Sequence, residues 1–170
     1  MRPGQTSTGP DDDSDPLELD DARRGYTTRV LRTLVPQWLA RRGLSVSVST
    51  ERSAYEIHTG DDLEIEFTIE VTNRLPLPVT IVTSGRRTWG WTVDSELEAS
   101  DERLYTADRP NSLEFRALET KRFERTWDGR FKRTGSPTRW VEADPGEYEI
   151  GAFVATPDEP RRDSTTVVLR

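Results

Sequence analysis

The chain has 170 residues, enough for one ordinary domain with an appendage, and only 32% of them are aliphatic or aromatic. It carries 24 basic and 31 acidic residues, so its net charge is −7. It contains no cysteine, which excludes disulfide bonds and thiolate metal sites and is compatible with a cytoplasmic location.

Residues 1–22 form an acidic tail with seven acids and one arginine, so most of the net negative charge lies there. Its large apolar side chains are Leu17 and Leu19, and they bury too little surface to offset the entropy of ordering the chain. We therefore expect this tail to be disordered. It is either a solvated arm or a contact arm for a basic partner.

Residues 23–43 form a basic segment with six arginines and no acid. Apolar residues recur at spacings of three and four, which predicts an amphipathic helical segment, and Pro36 should divide it into two short turns. Two interpretations are open. The segment covers an open end of the domain, or residues 26–43 bind an anionic membrane surface through Trp38, Arg41 and Arg42.

From Leu44 onward apolar residues alternate with polar ones, which is typical of half-buried antiparallel strands. The clearest example is LEIEFTIEV, residues 63–71, and six further strands are predicted before the end of the chain. Trp89, Trp91 and Val93 share one parity and should face the same side. The predicted core contains Leu63, Ile65, Phe67, Ile69, Val71, Trp89, Trp91, Val93, Trp127, Tyr148 and Ile150.

About eight short strands without an intervening helix predict an all-β fold, an immunoglobulin-like antiparallel β-sandwich over residues 44–170. Residues 95–111 form the longest predicted stretch without a strand and are polar, so we expect them to be a functional loop. The candidate interaction residues there are Asp101 and Glu102. Arg86 and Arg87, at the start of a predicted strand, are the other candidates.

The sequence contains no complete catalytic constellation, so we do not expect an enzyme. One histidine, His58, without cysteine cannot build a typical zinc site. A catalytic triad would need the same histidine as its base, and the sequence contains no Gly-x-Ser-x-Gly nucleophile elbow. No phosphate-binding loop is present, so no metal or cofactor is expected. Residues 115–140 combine eight bases, three acids and five aromatic rings. This pattern suits single-stranded nucleic acid, but inward-facing rings are the more common arrangement, so nucleic acid is not the expected partner.

Several short features together resemble the intracellular proteinase inhibitor (BsuPI-like) family of immunoglobulin-like domains. They are the strand ending at Asn73, Pro78-Val79, Ser84-Gly85, Val93-Asp94, Trp127-Asp128 and the PGEYEI sequence around Tyr148. The chain is still more similar to an uncharacterised halophilic archaeal domain family of the same build. The resemblance implies a sandwich and, as an alternative function, protease inhibition, although no inhibitory loop matches.

The sequence therefore predicts a non-catalytic, cytoplasmic module that binds a protein partner of unknown identity. Whether residues 26–43 also place it at the membrane periphery stays open at this point. A proteinase inhibitor is the first alternative. A binder of nucleic acid or of an anionic membrane surface through residues 23–43 and 115–140 is the second.

Overall fold

The computed structural model describes residues 35–57, 63–102, 109–157 and 159–170. The predicted acidic tail, the first part of the basic segment and His58 lie outside the described residues. One helix, α1, spans Gln37–Arg42. The strands are β1 Leu44–Thr50, β2 Ala54–Tyr55, β3 Ile65–Asn73, β4 Val79–Val82, β5 Trp89–Val93, β6 Glu96–Leu97, β7 Ser112–Phe115, β8 Thr120–Trp127, β9 Arg130–Arg133, β10 Arg139–Glu142, β11 Gly146–Val154 and β12 Arg161–Leu169.

The strands form an all-β sandwich whose main pairings are antiparallel. One sheet has the order β1-β3-β8 and the other the order β2-β12-β11-β5-β6. The short strand β2 pairs in parallel with β12, so the chain leaves the first sheet after β1 and joins the edge of the second. The pairs β4-β7 and β9-β10 complete the described strands. This arrangement confirms the predicted fold class.

Aromatic side chains join the inner faces of the two sheets. Phe67 of the first sheet meets Trp91 of the second edge-on, with ring centroids 5.2 Å apart. Trp89 stacks on Phe123 at 4.2 Å. Such offset and edge contacts suit the charge distribution of aromatic rings and add to the burial of apolar area. The shared parity of the two tryptophans therefore places both rings in the space between the sheets.

The predicted core residues occupy two depths. Ile65, Phe67, Ile69, Val71, Val93, Trp127 and Ile150 are buried. Leu63, Trp89, Trp91 and Tyr148 are partly buried and pack against that core. The alternation along β3 explains the first group, because every second side chain of a strand points to the same face of its sheet. The outer residues of β3 include Glu70, whose carboxylate lies 2.6 Å from Arg122 of β8.

Tyr148 fixes the beginning of β11 to the chain before it. Its hydroxyl donates a hydrogen bond to the carbonyl oxygen of Asp144, at 2.8 Å, and its ring centroid lies 5.2 Å from that of Trp127. A tyrosine near the start of this strand, bonded to the backbone a few residues upstream, recurs in immunoglobulin-like sandwiches. Burial of the ring raises the pKa of the Tyr148 hydroxyl above its ordinary value.

The observed strands correct several sequence-based boundaries. The strand predicted from Leu63 begins at Ile65, and the last strand begins at Arg161 rather than at Thr165. The sequence did not predict β2, β6, β9 or β10. The short strand β6 lies within residues 95–111, which were predicted to contain none. These strands are short or strongly charged, so they lack the apolar alternation that reveals β3.

The helix α1 covers the edge of β4. Gln37 Nε2 donates to the carbonyl oxygen of Thr80 at 2.8 Å, and Gln37 Oε1 accepts from the backbone N–H of Val82 at 3.1 Å. The Gln37 side chain thus makes hydrogen bonds that a neighbouring strand would otherwise make, and Ala40 is the buried residue of the helix. Pro36 directly precedes the helix and Gly43 directly follows it. The described part of the basic segment therefore covers an open edge of the domain.

Candidate interaction surfaces

The acidic loop, residues 96–102, is attached to β9 by backbone and side-chain contacts. The N–H of Lys132 donates to the carbonyl oxygen of Ala99 at 2.8 Å, and the N–H of Asp101 donates to the carbonyl oxygen of Lys132 at 3.2 Å. Lys132 Nζ also lies 2.6 Å from Glu102 Oε2. Arg133 pairs with Glu96. The loop thus serves as a further strand-like edge for β9.

Asp101 and Glu102, two predicted contact residues, form contacts within the chain that attach the acidic loop to β9. The Asp101 carboxylate accepts a hydrogen bond from the backbone N–H of Thr134 at 2.7 Å. That bond holds the pKa of the carboxyl below its ordinary value, and the nearby Arg133 charge acts in the same direction. Both side chains are exposed, yet their polar atoms already have partners within the chain. Their first role is to position β9.

Arg86 and Arg87 differ in their contacts. Arg87 Nη1 lies 2.6 Å from Glu98 Oε1, which ties the start of β5 to the acidic loop. Arg86 is exposed, and its guanidinium forms no ion pair within the described part of the chain. Its backbone carbonyl accepts from Asn111 Nδ2 at 3.1 Å. Of this predicted pair, Arg86 is the residue without an ion pair among the described residues.

The strand β10 presents an open edge. All four of its residues are exposed, including the large apolar side chains of Trp140 and Val141, at 60% and 47%. Trp140 lies opposite Lys132, whose backbone N–H and carbonyl point away from β10 toward the acidic loop. Since hydrogen-bonded and non-hydrogen-bonded pairs alternate in an antiparallel ladder, the backbone groups of Trp140 and Glu142 point outward.

Beneath this edge, an aromatic cluster supports the β9-β10 hairpin. Phe131, opposite Val141, is buried and meets Trp127 edge-on, with ring centroids 5.4 Å apart. Trp127 Nε1 donates to the carbonyl oxygen of Arg130 at 2.9 Å. The open edge is therefore held on a well-packed base.

The basic residues of the 115–140 region are largely committed to internal contacts. Phe115, Trp127 and Phe131 are buried and Phe123 is partly buried, so Trp140 is the exposed ring of this region. Arg122, Lys132 and Arg133 pair with glutamates. Sequence reasoning placed Trp140 in a nucleic-acid segment and did not predict its strand. Only its exposure on an edge strand reveals it as a contact residue.

At the opposite end of β3, Asn73 joins two loops. Its side chain is fully buried, and Nδ2 donates to the carbonyl oxygens of Leu77 and Arg116, both at 2.8 Å. Its Oδ1 accepts from the N–H of Leu75 at 3.0 Å. We call residues 74–78 and 116–119 together the corner surface. Leu77 and Leu118 are exposed there, at 41% and 64%.

The outward side of α1 lies beside this corner. Trp38 is 65% exposed and Arg42 is also exposed, and residues four apart share one face of a helix. Arg41 is partly buried, and its backbone carbonyl accepts from Arg161 Nε at 3.2 Å. Gly43 contacts the Leu75 side chain and accepts from the N–H of Arg74 at 2.8 Å. Of the three residues predicted here, Trp38 and Arg42 thus face outward.

A groove of 510 Å³ lies against the second sheet and is lined in part by Gly151, Thr92 and Phe153. Among its carboxylates, Asp163 accepts a hydrogen bond from the N–H of Val48 at 2.9 Å, so it closes the sandwich between β12 and β1. Within the described ranges, no group of three or more histidine or acidic side chains is placed to hold a metal ion. No helix in that part of the chain is long and apolar enough to cross a membrane.

Residues 32–170 match the model of a family of unknown function, DUF7974. The chain belongs to this family. The match covers α1 and every described strand, and with them the residues of the corner surface and of the open edge. The family match shows no link to the intracellular proteinase inhibitors or to halophilic archaea, and those resemblances stay predictions.

Solved structures with a similar arrangement include a β-glucosidase from Erythrobacter marinus, with 13% identity and a TM-score of 0.45 over 75% of this chain and 15% of that chain. Another is a β-glucosidase from Listeria innocua in complex with isofagomine, with 10% identity and a TM-score of 0.44 over 74% of this chain and 16% of that chain. The chain therefore spans about a sixth of those enzymes' length, and no activity follows from the similarity. No curated protein matches the chain.

Proposed function

We propose that the chain is a non-catalytic module whose sandwich, residues 44–170, binds a protein partner through the open edge of β10. The exposure of Trp140 and Val141 on an edge strand with outward backbone groups carries this proposal. An uncovered apolar strand edge is a template for pairing with another chain, and proteins normally protect it. The partner contributes an extended segment that adds a strand beside β10.

Hydrogen bonding and side-chain contact have separate roles in this mode of binding. The outward backbone groups of Trp140 and Glu142 supply main-chain hydrogen bonds, and alternate side chains supply specificity. Trp140 is the anchor, since an indole buries a large area and tryptophan is enriched among residues that dominate binding energy. The buried Phe131 beneath the hairpin limits the entropy lost on binding, because the edge is already ordered.

The test uses proline on the open edge. Glu142→Pro removes an outward N–H and keeps the Trp140 ring, whereas Glu142→Ala removes only the side chain. Proline is tolerated on strand edges, so the variant should fold. We expect affinity capture at native salt to recover the same partner with wild type and Glu142→Ala. We expect about tenfold weaker binding by Glu142→Pro, from one lost hydrogen bond and steric exclusion of the partner strand.

A second variant tests the anchor. Trp140→Ala should weaken binding of the captured partner by roughly 2 kcal/mol, which is about 30-fold. Circular dichroism checks the fold of each variant. Partner binding that is unchanged in both Glu142→Pro and Trp140→Ala, or the failure of wild type to capture a partner, would contradict the proposal.

A further inference from the structure

We propose that the corner surface, with the outward face of α1, docks on an anionic lipid surface. Leu77 and Leu118 enter the interfacial layer, and Arg42, Arg74 and Arg116 contact lipid phosphates. This site is independent of the open edge of β10. It also differs from the membrane segment expected from sequence, because it is built from three separated parts of the chain.

The apolar part of the site is costly for the folded chain to maintain. Leu118 has φ 56, the left-handed region that favours glycine or asparagine, and its side chain is 64% exposed. A leucine there neither relieves backbone strain nor contributes a buried side chain. Strain at an exposed apolar residue points to a contact made outside the chain. Leu77, between two prolines in the adjacent loop, adds a second exposed leucine.

The positive charge around these leucines favours a negatively charged binding surface. Arg42, Arg74 and Arg116 are exposed and form no ion pair with any described carboxylate. The acid of the same turn, Glu119, accepts from the backbone N–H of Arg116 and lies 3.4 Å from Lys121 Nζ, so its charge is already offset.

Exposed leucines surrounded by arginines match the chemistry of an anionic bilayer. Apolar side chains gain free energy in the acyl boundary, and arginines beside them are attracted to the negative surface potential. Trp38 on the outward face of α1 suits the same layer, since an indole combines an apolar body with a polar N–H. These three arginines form no ion pair with a described carboxylate, and their positive charge disfavours a partner with a basic surface.

The corner surface and the open edge of β10 lie at opposite ends of β3, so lipid and a protein partner could be bound at the same time. Asn73 ends β3 at the corner surface, and Ile65 begins β3 beside Trp127, near the base of the β9-β10 hairpin. At about 3.3 Å per residue, the nine residues of β3 separate the two ends by roughly 26 Å. A chain docked on lipid at the corner surface would still present the β10 edge to a partner.

Flotation of the full 170-residue chain with vesicles tests the site. The probes are vesicles of equal parts phosphatidylglycerol and phosphatidylcholine, and vesicles of phosphatidylcholine alone. We expect binding to the anionic vesicles that weakens as salt is raised, and weaker binding to the neutral ones. Leu77→Asn with Leu118→Asn should lower the anionic-vesicle affinity by about tenfold or more, from the lost apolar contact.

The leucine substitution separates lipid binding from folding. Asparagine adopts the left-handed region readily, so Leu118→Asn should leave the midpoint of urea unfolding unchanged or higher while lipid affinity falls. Arg74→Gln with Arg116→Gln should lower the affinity by about fivefold for each arginine. The matched control is Ile57→Asn, which removes an exposed apolar residue beside the end of β12, away from the corner surface, and should bind vesicles like wild type.

Two results would overturn the lipid-docking site. One is the absence of wild-type binding to anionic vesicles at low salt. The other is an affinity of the double leucine variant equal to that of wild type, which would assign any binding to other parts of the chain. Neither result affects partner capture through β10, so failure of this site and failure of the proposed function are distinguishable.

Discussion

Asn73 Nδ2 lies 2.8 Å from the carbonyl oxygen of Arg116, a hydrogen bond between residues 43 positions apart. The same amide group reaches the Leu77 carbonyl, and its oxygen accepts from the N–H of Leu75. A single buried side chain thus satisfies three backbone groups of two loops. It holds the loops that carry Leu77 and Leu118 in fixed positions.

Asn73→Ala should lower the free energy of unfolding by about 2–4 kcal/mol. The substitution removes the partner of two carbonyl groups and one N–H group in partly buried hydrogen bonds, and each such bond contributes about 0.5–1.5 kcal/mol. Urea unfolding followed by tryptophan fluorescence measures the loss. The control is Asn111→Ala, which removes an exposed amide bonded to the Arg86 carbonyl and should change stability by less than about 1 kcal/mol. Equal losses in the two variants would contradict the role assigned to Asn73.

Gln37→Met should expose the edge of β4 to solvent exchange. Methionine keeps the approximate length of the side chain but cannot accept from the Val82 N–H or donate to the Thr80 carbonyl. We expect faster hydrogen exchange at Val82 and a loss of roughly 1–2 kcal/mol in stability. Amide exchange by NMR gives the readout. Unchanged protection at Val82 would show that the helix, rather than the glutamine amide, covers this edge.

Acid should release the acidic loop from β9 through Asp101. Its pKa is lowered in the folded chain from the ordinary value of 3.8, chiefly by the hydrogen bond from the Thr134 N–H. A group with a depressed folded pKa stabilises the fold above its unfolded pKa, and this contribution disappears as pH falls through the folded value. We therefore expect no change between neutral pH and about pH 5, and loosening below about pH 4.

The Thr134 amide is the probe for this transition. Its chemical shift and exchange rate should change with the protonation of Asp101, and Asp101→Asn should remove that pH dependence because an amide oxygen accepts the same bond without titrating. A Thr134 transition that persists in Asp101→Asn would assign the acid sensitivity to another group.

Tyr148→Phe should lower stability by about 0.5–1.5 kcal/mol. The change removes the hydrogen bond to the Asp144 carbonyl and keeps the ring against Trp127. Thermal unfolding followed by circular dichroism measures the loss. Tyr148→Leu, which also removes the ring contacts, should cost more. If Phe and Leu have equal effects, the ring contacts contribute little and the hydroxyl is the main source of stability.

Much of the fold could be predicted from local pattern. The alternation along residues 63–71 identified β3 and its inward face, and the shared parity of Trp89, Trp91 and Val93 placed them on one side of β5. These features depend only on the two-residue period of a strand, which neighbouring residues display by themselves. The hairpin β9-β10 escaped detection because its residues are mostly charged or exposed.

The candidate sites depend on contacts that no local pattern contains. From the sequence, Arg87, Asp101 and Glu102 were chosen as contact residues by their charge. In the folded chain, Arg87 pairs with Glu98 and Glu102 pairs with Lys132, while Asp101 accepts a hydrogen bond from the Thr134 N–H.

By itself, the sequence determined the sandwich, the acidic tail's composition and the basic character of residues 23–43. Only the tertiary structure decided that Trp140 stands on an open edge and that Leu118 adopts a left-handed backbone beside Leu77. The physical reason is the separation along the chain of the residues that produce each feature. Alternation and charge are properties of adjacent residues, whereas exposure and pairing depend on which distant segments meet, as Asn73 and Arg116 do across 43 positions.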